Sequence, residues 1–168
     1  MSRLRLTRRY RFEAAHRLVV DDWTPERNWE VYGKCSREGG HGHNYEIDVT
    51  VEGAPDPVTG LVIERAAMDR VVNERIVDRC DHRDLNDVLP GIVTTGENLA
   101  VEYFRWLEDA FDGSARLVRV RVFETARNVF DAVALPSSSR GDSDGSAAIG
   151  DQHPARTGRA PGHGGTLP

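Results

Sequence analysis

Two stretches of this sequence alternate between apolar and polar side chains, and each carries a histidine on its apolar row. In residues 3–16 the apolar row holds Leu4, Leu6, Tyr10, Phe12, Ala14 and His16, and the opposite row holds Arg3, Arg5, Arg9, Arg11 and Glu13. In residues 43–52 the apolar row holds His43, Tyr45, Ile47, Val49 and Val51. A period of two over such lengths predicts β-strands with one face in the core. Both strands therefore place a histidine where a core residue is expected.

Elsewhere the apolar spacing changes to a helical period. It predicts one helix over 65–78 and another over 96–111. Thr94 and Glu97 have the spacing of a capping box at the start of the second helix. Residues 17–40 show no periodicity and are expected to form a long loop, which in a compact domain tends to be functional.

Two further strands complete the predicted fold. Residues 116–124 alternate, with Val118, Val120, Val122 and Glu124 on one face. Residues 128–133 follow as the second arm of a hairpin. The order β-β-α-α-β-β predicts an α+β fold, an antiparallel four-stranded sheet with two helices on one face.

Composition limits the classes of function. The 168 residues, 39% of them apolar, fit one domain whose modest core would benefit from oligomerisation. A formal charge of −5 gives no electrostatic case for nucleic-acid binding. Two cysteines outside any paired motif fit a reducing cytoplasm, and no apolar run approaches membrane-spanning length. Residues 135–168 are polar and lack aromatic side chains, so we expect a domain at 1–134 followed by a disordered tail.

Three histidines point to a metal site. His41 has the same strand parity as His43, and His16 ends the other apolar row. Taken singly, each is better explained as an ordinary core or surface imidazole. Buried imidazoles need partners, however, and one ion satisfies several of them together. Three neutral imidazoles without a fourth protein ligand predict an open zinc site of the catalytic kind.

Cys35 lies in the long loop and is a candidate base or nucleophile. A metal and cationic neighbours would activate its thiol, and Lys34, Arg37 and Arg8 or Arg9 are expected nearby. An ordinary half-buried cysteine explains the residue equally well.

A carboxylate–imidazole pair and a strand-end glutamate complete the candidates. Asp81 and His82 follow the logic of a catalytic triad if a thiol is near, although a polar turn explains the pair when it stands alone. Glu124 continues the buried row of its strand, and an unpaired buried carboxylate is costly. Its partner is therefore a cation such as Arg127, or a planar heterocycle with an amino group and a ring N–H.

These pieces, in this order, resemble the superfamily of 6-pyruvoyltetrahydropterin and 6-carboxytetrahydropterin synthases. The matching segments, within residues 3–133, are Phe12–His16, Cys35–Tyr45, Asp81–Asn86, Thr95–Ala100 and Phe123–Thr125. The resemblance implies a tunnelling fold, in which the sheets of three subunits join into a barrel and two trimers stack. It also implies a homo-oligomer with active sites shared between neighbouring subunits.

Matched position by position, the resemblance implies a role for each candidate. The implied zinc ligands are His16, His41 and His43; the implied catalytic residues are Cys35 as general base, Asp81 and His82 as a proton relay, and Glu124 as the anchor of the pterin ring; further substrate-binding residues are Thr95, Glu97 and Glu38. The implied cofactor is Zn²⁺ and the implied substrate is 7,8-dihydroneopterin triphosphate, with no nucleic-acid or membrane partner.

The superfamily has several products. Five residues separate Cys35 from His41, as in pyruvoyl-forming enzymes, whereas Glu38 resembles a folate branch in which a glutamate cleaves the side chain to a hydroxymethyl pterin. Because Cys35 and Glu38 occur together, we expect the carboxy-forming enzyme of queuosine biosynthesis, which releases acetaldehyde and triphosphate. The pyruvoyl-forming and folate-branch enzymes are the alternatives. Two readings from other classes stay open: a cysteine hydrolase using Cys35, His82 and Asp81, and a non-catalytic pterin- or metal-binding module.

Overall fold

The computed structural model describes residues 3–111, 113 and 115–135, and these form an α+β fold, as predicted. The strands are β1 (Leu4–His16), β2 (His41–Gly53), β3 (Arg83–Asp84), β4 (Ala115–Phe123) and β5 (Val129–Val133). The helices are α1 (Pro25–Tyr32), α2 (Arg65–Val72), α3 (Asp78–Cys80), α4 (Leu85–Val88) and α5 (Gly96–Leu107). A 3₁₀ turn (Gly33–Ser36) follows α1, and a π-helical turn (Asn73–Val77) joins α2 to α3. Within the described ranges, no helix is long and apolar enough to cross a membrane.

One sheet holds these strands in the order β3-β1-β2-β4-β5. The long strands pair antiparallel, and the two-residue β3 lies parallel to the end of β1, so the predicted four strands become five. Across β1 and β2, His16 faces His41 and Ala14 faces His43. Side chains directly opposite each other point to the same face of a sheet. The histidine-bearing rows of both strands therefore lie on one face.

The helices cover this same face and form the core with it. The fully buried apolar side chains include Ile47, Val49, Val51, Val120 and Val122 from the sheet, Met68, Val72 and Ile76 from the 65–80 helical segment, and Leu99, Tyr103 and Leu107 from α5. An ion pair adds a polar tie, since Arg8 donates from Nε and Nη2 to the two oxygens of Asp69 on α2, at 2.6 and 2.7 Å. The core thus fixes β1 and β2 against the helices.

The predicted loop at 17–40 contains a helix that the periodicity did not indicate. α1 begins after Thr24, whose hydroxyl accepts a hydrogen bond from the Arg27 N–H at 3.2 Å, and Pro25 occupies its first turn. Asn28 is the only fully buried residue of α1. An amphipathic stripe is absent because this short helix buries a single polar side chain, which binds the backbone of Val20. The expectation of a structureless loop was wrong.

The predicted capping box at the start of α5 was also wrong. The cap is Thr95, whose hydroxyl accepts from the Asn98 N–H at 3.4 Å, so Glu97 falls one position early for a capping box. Thr94 is fully buried instead. The two adjacent threonines made the register ambiguous, and the burial of Thr94 decides it.

A β-bulge corrects the predicted register of β4. Thr50 pairs with Arg119 and Val51 pairs with Leu117, which leaves Val118 without a partner across the strand pair. Leu117, at 5% exposure, takes the core position that alternation had assigned to Val118. Because the extra residue reverses the parity, Arg116 and Arg119 both project from the helix-free face. The predicted domain limit at 134 stays a prediction, and the predicted disordered tail lies outside the described residues except for Leu135.

Candidate metal centre and surrounding site

The three predicted metal ligands converge. His16 and His41 are paired across β1 and β2, and their Nε2 atoms lie 3.2 Å apart. The ring centroids of the three histidines are 4.6 to 5.1 Å from one another, and one ligand nitrogen from each lies within 4.8 Å of the others. Among the described residues this is the one such group of histidine, cysteine and acidic side chains. The alternation of β1 and β2 is what brings the rings together.

The backbone of Thr94 orients His16. Its carbonyl oxygen lies 2.8 Å from His16 Nδ1, which fixes a proton on that nitrogen and leaves the lone pair of Nε2 directed at the other two rings. The hydroxyl of Tyr45 is 3.4 Å from the same Nδ1. A metal-binding histidine characteristically donates its second ring nitrogen to such an acceptor. His16 is therefore held in the tautomer that a zinc ligand requires.

The donor set fits zinc. Two imidazole nitrogens on a tetrahedral ion, each about 2.0–2.1 Å from it, are separated by about 3.3 Å, close to the 3.2 Å between His16 and His41. His43 Nε2 is buried and has no hydrogen-bond partner. Burial, the largest cause, lowers the pKa of both His16 and His43, so both rings favour the neutral form that binds metal. A divalent ion would satisfy the unpaired nitrogen.

Gly40 lets the loop return to the end of β1. Its backbone has φ +62°, and a Cβ there would lie 2.6 Å from the carbonyl oxygen of His16. A side chain at this position would push His41 away from His16. Gly39 also has positive φ, at +87°, but a Cβ there would meet nothing within 4 Å. The Gly39–Gly40 pair thus serves both a turn and a close approach.

Glu124 reaches the cluster of three histidines, as its strand parity predicts. Its Oε1 lies 3.7 Å from His16 Nε2, and its side chain is only 12% exposed. Its other oxygen accepts a hydrogen bond from the Asn128 side chain at 3.2 Å, while the Glu124 N–H donates to the Asn128 carbonyl. The described contacts of Glu124 are therefore His16 and Asn128, rather than the Arg127 weighed from the sequence. The carboxylate retains acceptor capacity beside the three histidines.

Asp81 and His82 bond each other. Asp81 Oδ2 is 3.0 Å from His82 Nδ1, and Asp81 Oδ1 accepts from the Glu13 N–H at 2.9 Å. The hydrogen bond to the Glu13 N–H, the largest cause, and that to His82 lower the pKa of the Asp81 carboxyl. His82 has φ +55°, and its N–H donates to the Glu13 carbonyl at 2.6 Å. His82 lines a surface groove together with His43 and Asn44, and Asp81 lines a second groove that shares His82 and Asn44 with the first.

The loop candidates occupy a different part of the surface. Cys35 is half-buried in the 3₁₀ turn, and its carbonyl accepts from the Leu18 N–H just beyond β1. Glu38 is exposed and lines a cavity with Trp29 and Arg37, whose guanidinium lies 5.4 Å from the centroid of that tryptophan ring. Among the described contacts, neither Cys35 nor Glu38 reaches the three histidines, whereas Glu124 does.

The expected cationic surroundings of Cys35 were partly wrong. Arg8 is bound to Asp69, and Arg9 donates to both oxygens of Asp48 at 2.7 and 3.0 Å. Arg8 lies on the core face and Arg9 on the helix-free face, so their ion pairs take them elsewhere. Lys34 remains beside Cys35 in the turn.

Three residues that contribute to the site were not identified from the sequence. The Thr94 carbonyl and the Asn128 amide act through pairings across the fold that no local pattern encodes. Glu13 carried a signal, because it directly precedes the Ala-Ala-His segment and sits on the polar row of β1. Thr95 and Glu97, predicted to bind substrate, lie at the start of α5, one and three residues beyond Thr94, whose carbonyl orients His16.

Comparison with known proteins agrees with this geometry. Residues 5–134 match the family model described as 6-pyruvoyl tetrahydropterin synthase. A 6-pyruvoyl tetrahydrobiopterin synthase from Homo sapiens is 37% identical over 127 residues, covering 74% of this chain and 87% of that protein. A dihydroneopterin monophosphate aldolase from Pyrococcus furiosus is 28% identical over 120 residues, or 71% and 89% of the two chains.

A solved structure extends the likeness to the fold. The Caenorhabditis elegans 6-pyruvoyl tetrahydropterin synthase superposes with a TM-score of 0.75 at 32% identity, covering 80% of this chain and 98% of that one. The tunnelling-fold prediction for the subunit is confirmed by this match. Sequence, subunit fold and the convergence of the three histidines agree: the chain belongs to the 6-pyruvoyl tetrahydropterin synthase family.

Proposed function

We propose that this protein is a zinc-dependent lyase that converts 7,8-dihydroneopterin triphosphate to 6-pyruvoyl tetrahydropterin by eliminating triphosphate. The observation that carries the proposal is the juxtaposition of the imidazoles of His16, His41 and His43 with the shielded Glu124 carboxylate, 3.7 Å from His16 Nε2. A site for a divalent ion beside a free acceptor suits a substrate with neighbouring side-chain hydroxyls and a planar ring that offers N–H groups.

His16, His41 and His43 would hold the ion. When bound, zinc supplies Lewis acidity that makes the side-chain hydroxyls of the substrate easier to deprotonate. Glu124 would accept hydrogen bonds from the amino group and ring N–H of the pterin, and Asn128 holds that carboxylate in place. Thr95 and Glu97 would complete the binding of the ring.

Proton transfer would be divided between two groups. Cys35 would remove a proton from a side-chain carbon, as a general base. His82, oriented by Asp81 at 3.0 Å, would carry protons between the substrate and solvent, and its exposed position on the groove shared with His43 suits exchange with water. Both roles rest on the family resemblance together with these positions.

The comparisons favour the pyruvoyl product over the carboxy product that the sequence analysis preferred. The relative at 37% identity carries the name 6-pyruvoyl tetrahydrobiopterin synthase, and the five-residue spacing between Cys35 and His41 points the same way. The carboxy-forming enzyme is therefore the second candidate. A side-chain aldolase is the third, supported by the 28% identical Pyrococcus furiosus protein, and it would need Glu38 to approach the substrate.

Barrel assembly with shared active sites is part of the proposal. Within the described residues, β3 covers only Ala14 and Ala15, so the rest of the outer edge of β1 lacks a partner strand, as does the outer edge of β5. Exposed strand edges favour pairing with another chain. Light scattering of the purified protein should give the mass of a trimer or hexamer.

Product identification tests the chemistry. Zinc-loaded protein is incubated anaerobically with 7,8-dihydroneopterin triphosphate, and products are identified by mass spectrometry. The proposal expects inorganic triphosphate and a pterin that retains its three side-chain carbons. Released acetaldehyde would favour the carboxy-forming enzyme instead, and a hydroxymethyl pterin that disappears in Glu38→Ala would favour the aldolase.

Matched cysteine variants separate the lyase from the other classes. Cys35→Ala should retain zinc and lose turnover, whereas Cys80→Ala should keep turnover, since Cys80 is buried and its thiol has a pKa raised to about 11 by burial. Turnover in a zinc-free, chelator-treated sample would favour a cysteine hydrolase. Bound zinc and pterin without turnover in the wild type would leave only a binding module.

A further inference from the structure

On the sheet face that the helices leave uncovered, polar side chains form rows that run across the paired strands. At one end of this face, arginines outnumber carboxylates. The neutral end is clear from one row, in which Arg9, Asp48, Arg121 and Asp131 are opposite one another across β1, β2, β4 and β5. Arg9 donates to both oxygens of Asp48, and Arg121 donates to both oxygens of Asp131 at 2.7 and 2.6 Å. Each guanidinium of this row is paired with a carboxylate of the same row, and Arg9 also donates to Glu46.

Two rows further toward the start of β1, one carboxylate serves three guanidiniums. Glu52 accepts from Arg5 at 2.9 Å, from Arg116 at 2.9 Å and from Arg3 at 3.3 Å. These arginines, with Arg5 and Arg116 the largest causes, lower the pKa of Glu52 to about 2. The side chains of these arginines are at least half exposed, 66% for Arg3, 69% for Arg5 and 50% for Arg116. The cluster keeps donors directed at solvent after Glu52 is satisfied.

The row between these two holds Arg119 and no carboxylate. Thr7, Thr50, Arg119 and Val133 face one another across the strands. Arg119 Nη2 reaches only the Thr50 hydroxyl, at 3.4 Å, and its Nε is buried without a hydrogen-bond partner. Asp131 is close enough for the charge of Arg119 to lower its pKa, but Arg121 is the larger cause and occupies both of its oxygens. No ion pair of Arg119 occurs among the described residues.

The bulge at Val118 creates this arrangement. Because the extra residue brings Arg116 to the same side as Arg119, both side chains line the same groove, which Arg5, Thr7, Thr50 and Asp131 also line. The groove has a cavity volume of about 470 Å³. Bulges commonly redirect a side chain at a functional position. A buried N–H of a guanidinium left unpaired is unfavourable, and a bound oxyanion would supply its acceptor.

We propose that this arginine groove (Arg5, Thr7, Thr50, Arg116 and Arg119) is a binding site for an inorganic or nucleotide polyphosphate. Guanidinium forks match phosphate oxygens in pairs, and the two threonine hydroxyls add neutral donors. Several phosphates in a row fit better than a single one, because the guanidiniums of two successive rows have donors to spare. The site lies on the face opposite the histidines and does not use the metal.

Calorimetric titration of the zinc-loaded full chain with sodium tripolyphosphate tests the proposal. The wild type should bind, and Arg119→Gln should weaken binding roughly 10- to 100-fold, which is the loss of one charge-assisted hydrogen bond. Arg11→Gln is the matched control, since exposed Arg11 lies on the same face of β1, pairs with Glu46 and does not line the groove, so it should change affinity less than about threefold. Arg119→Lys should recover part of the affinity.

The same titration distinguishes the groove from the histidine site and from a merely solvated surface. Binding that His43→Ala abolishes and Arg119→Gln leaves intact would place the anion at the metal centre and overturn the proposal. Equal weakening by Arg119→Gln and Arg11→Gln would indicate general electrostatic attraction and would also overturn it. Thermal melting of each variant checks folding, and the wild-type melting temperature should rise with tripolyphosphate while that of Arg119→Gln should not.

Discussion

The close contact at Gly40 gives the sharpest test of how backbone geometry supports the proposed metal site. In Gly40→Ala, the new Cβ would lie 2.6 Å from the His16 carbonyl oxygen, about 0.7 Å inside the shortest ordinary carbon–oxygen contact. The neighbour is backbone of β1, which is fixed by its pairing with β2. The loop must therefore move, and it carries His41 directly after Gly40.

The size of that movement sets the expected loss. A metal site tolerates displacements of about 0.5 Å, and disturbing the support of a ligand typically costs 10- to 100-fold in metal affinity. We therefore expect Gly40→Ala to bind zinc about 10- to 100-fold more weakly. The positive φ of +62° adds about 1–2 kcal/mol of backbone strain, which lowers the free energy of unfolding.

Gly39→Ala separates strain from contact. Gly39 has φ +87°, so its alanine variant carries similar strain, but its Cβ would meet nothing within 4 Å. Zinc affinity is measured by competition with a chromophoric chelator, and stability by thermal melting in the absence of metal. Both variants should lose stability, and only Gly40→Ala should lose affinity. Equal zinc affinity in the two variants would refute the link between this contact and the position of His41.

Other perturbations test the remaining parts of the structure. Asp69→Asn should destabilise the protein by about 1–2 kcal/mol at neutral pH, because Arg8 loses a half-exposed carboxylate partner. Arg8 lowers the pKa of Asp69 below 3.8, so this difference in unfolding free energy is present above that pH and should vanish in acid, as calorimetry at both pH values would show. Glu124→Gln should lower kcat/KM roughly 10- to 100-fold with unchanged zinc content, whereas loss of zinc would make Glu124 a ligand. Chelation should lower the melting temperature of the wild type but not of His43→Ala.

The sequence predicted those parts of the site that depend on strand parity. His16, His43 and Glu124 each continue a buried row, and three rows of one sheet must share a face once they pair. A core-facing histidine or glutamate also has a high cost if left unpaired, so the chemistry followed from the same pattern as the fold. Paired strands thus convert a local alternation into a three-dimensional cluster without further information.

The features that the sequence did not predict depend on where the register of β4 against β2 shifts and on which residue begins α5. An alternating pattern assigns Val118 to the core as readily as Leu117, and only the pairing of β4 with β2 determines which of them is the extra residue. The start of α5 is ambiguous for the same reason, since either threonine caps a helix, yet only one choice turns the Thr94 carbonyl toward His16. Both decisions rest on contacts between segments at least 60 residues apart in sequence. The two choices have different consequences: one orients His16, and the other places Arg116 on the helix-free face beside Arg119. The chemical difference between the two faces of this sheet therefore depends on single-residue choices of register. Substitutions at Val118 and Thr94 should for this reason affect the arginine groove and the orientation of His16 more than the chemistry of their own side chains suggests.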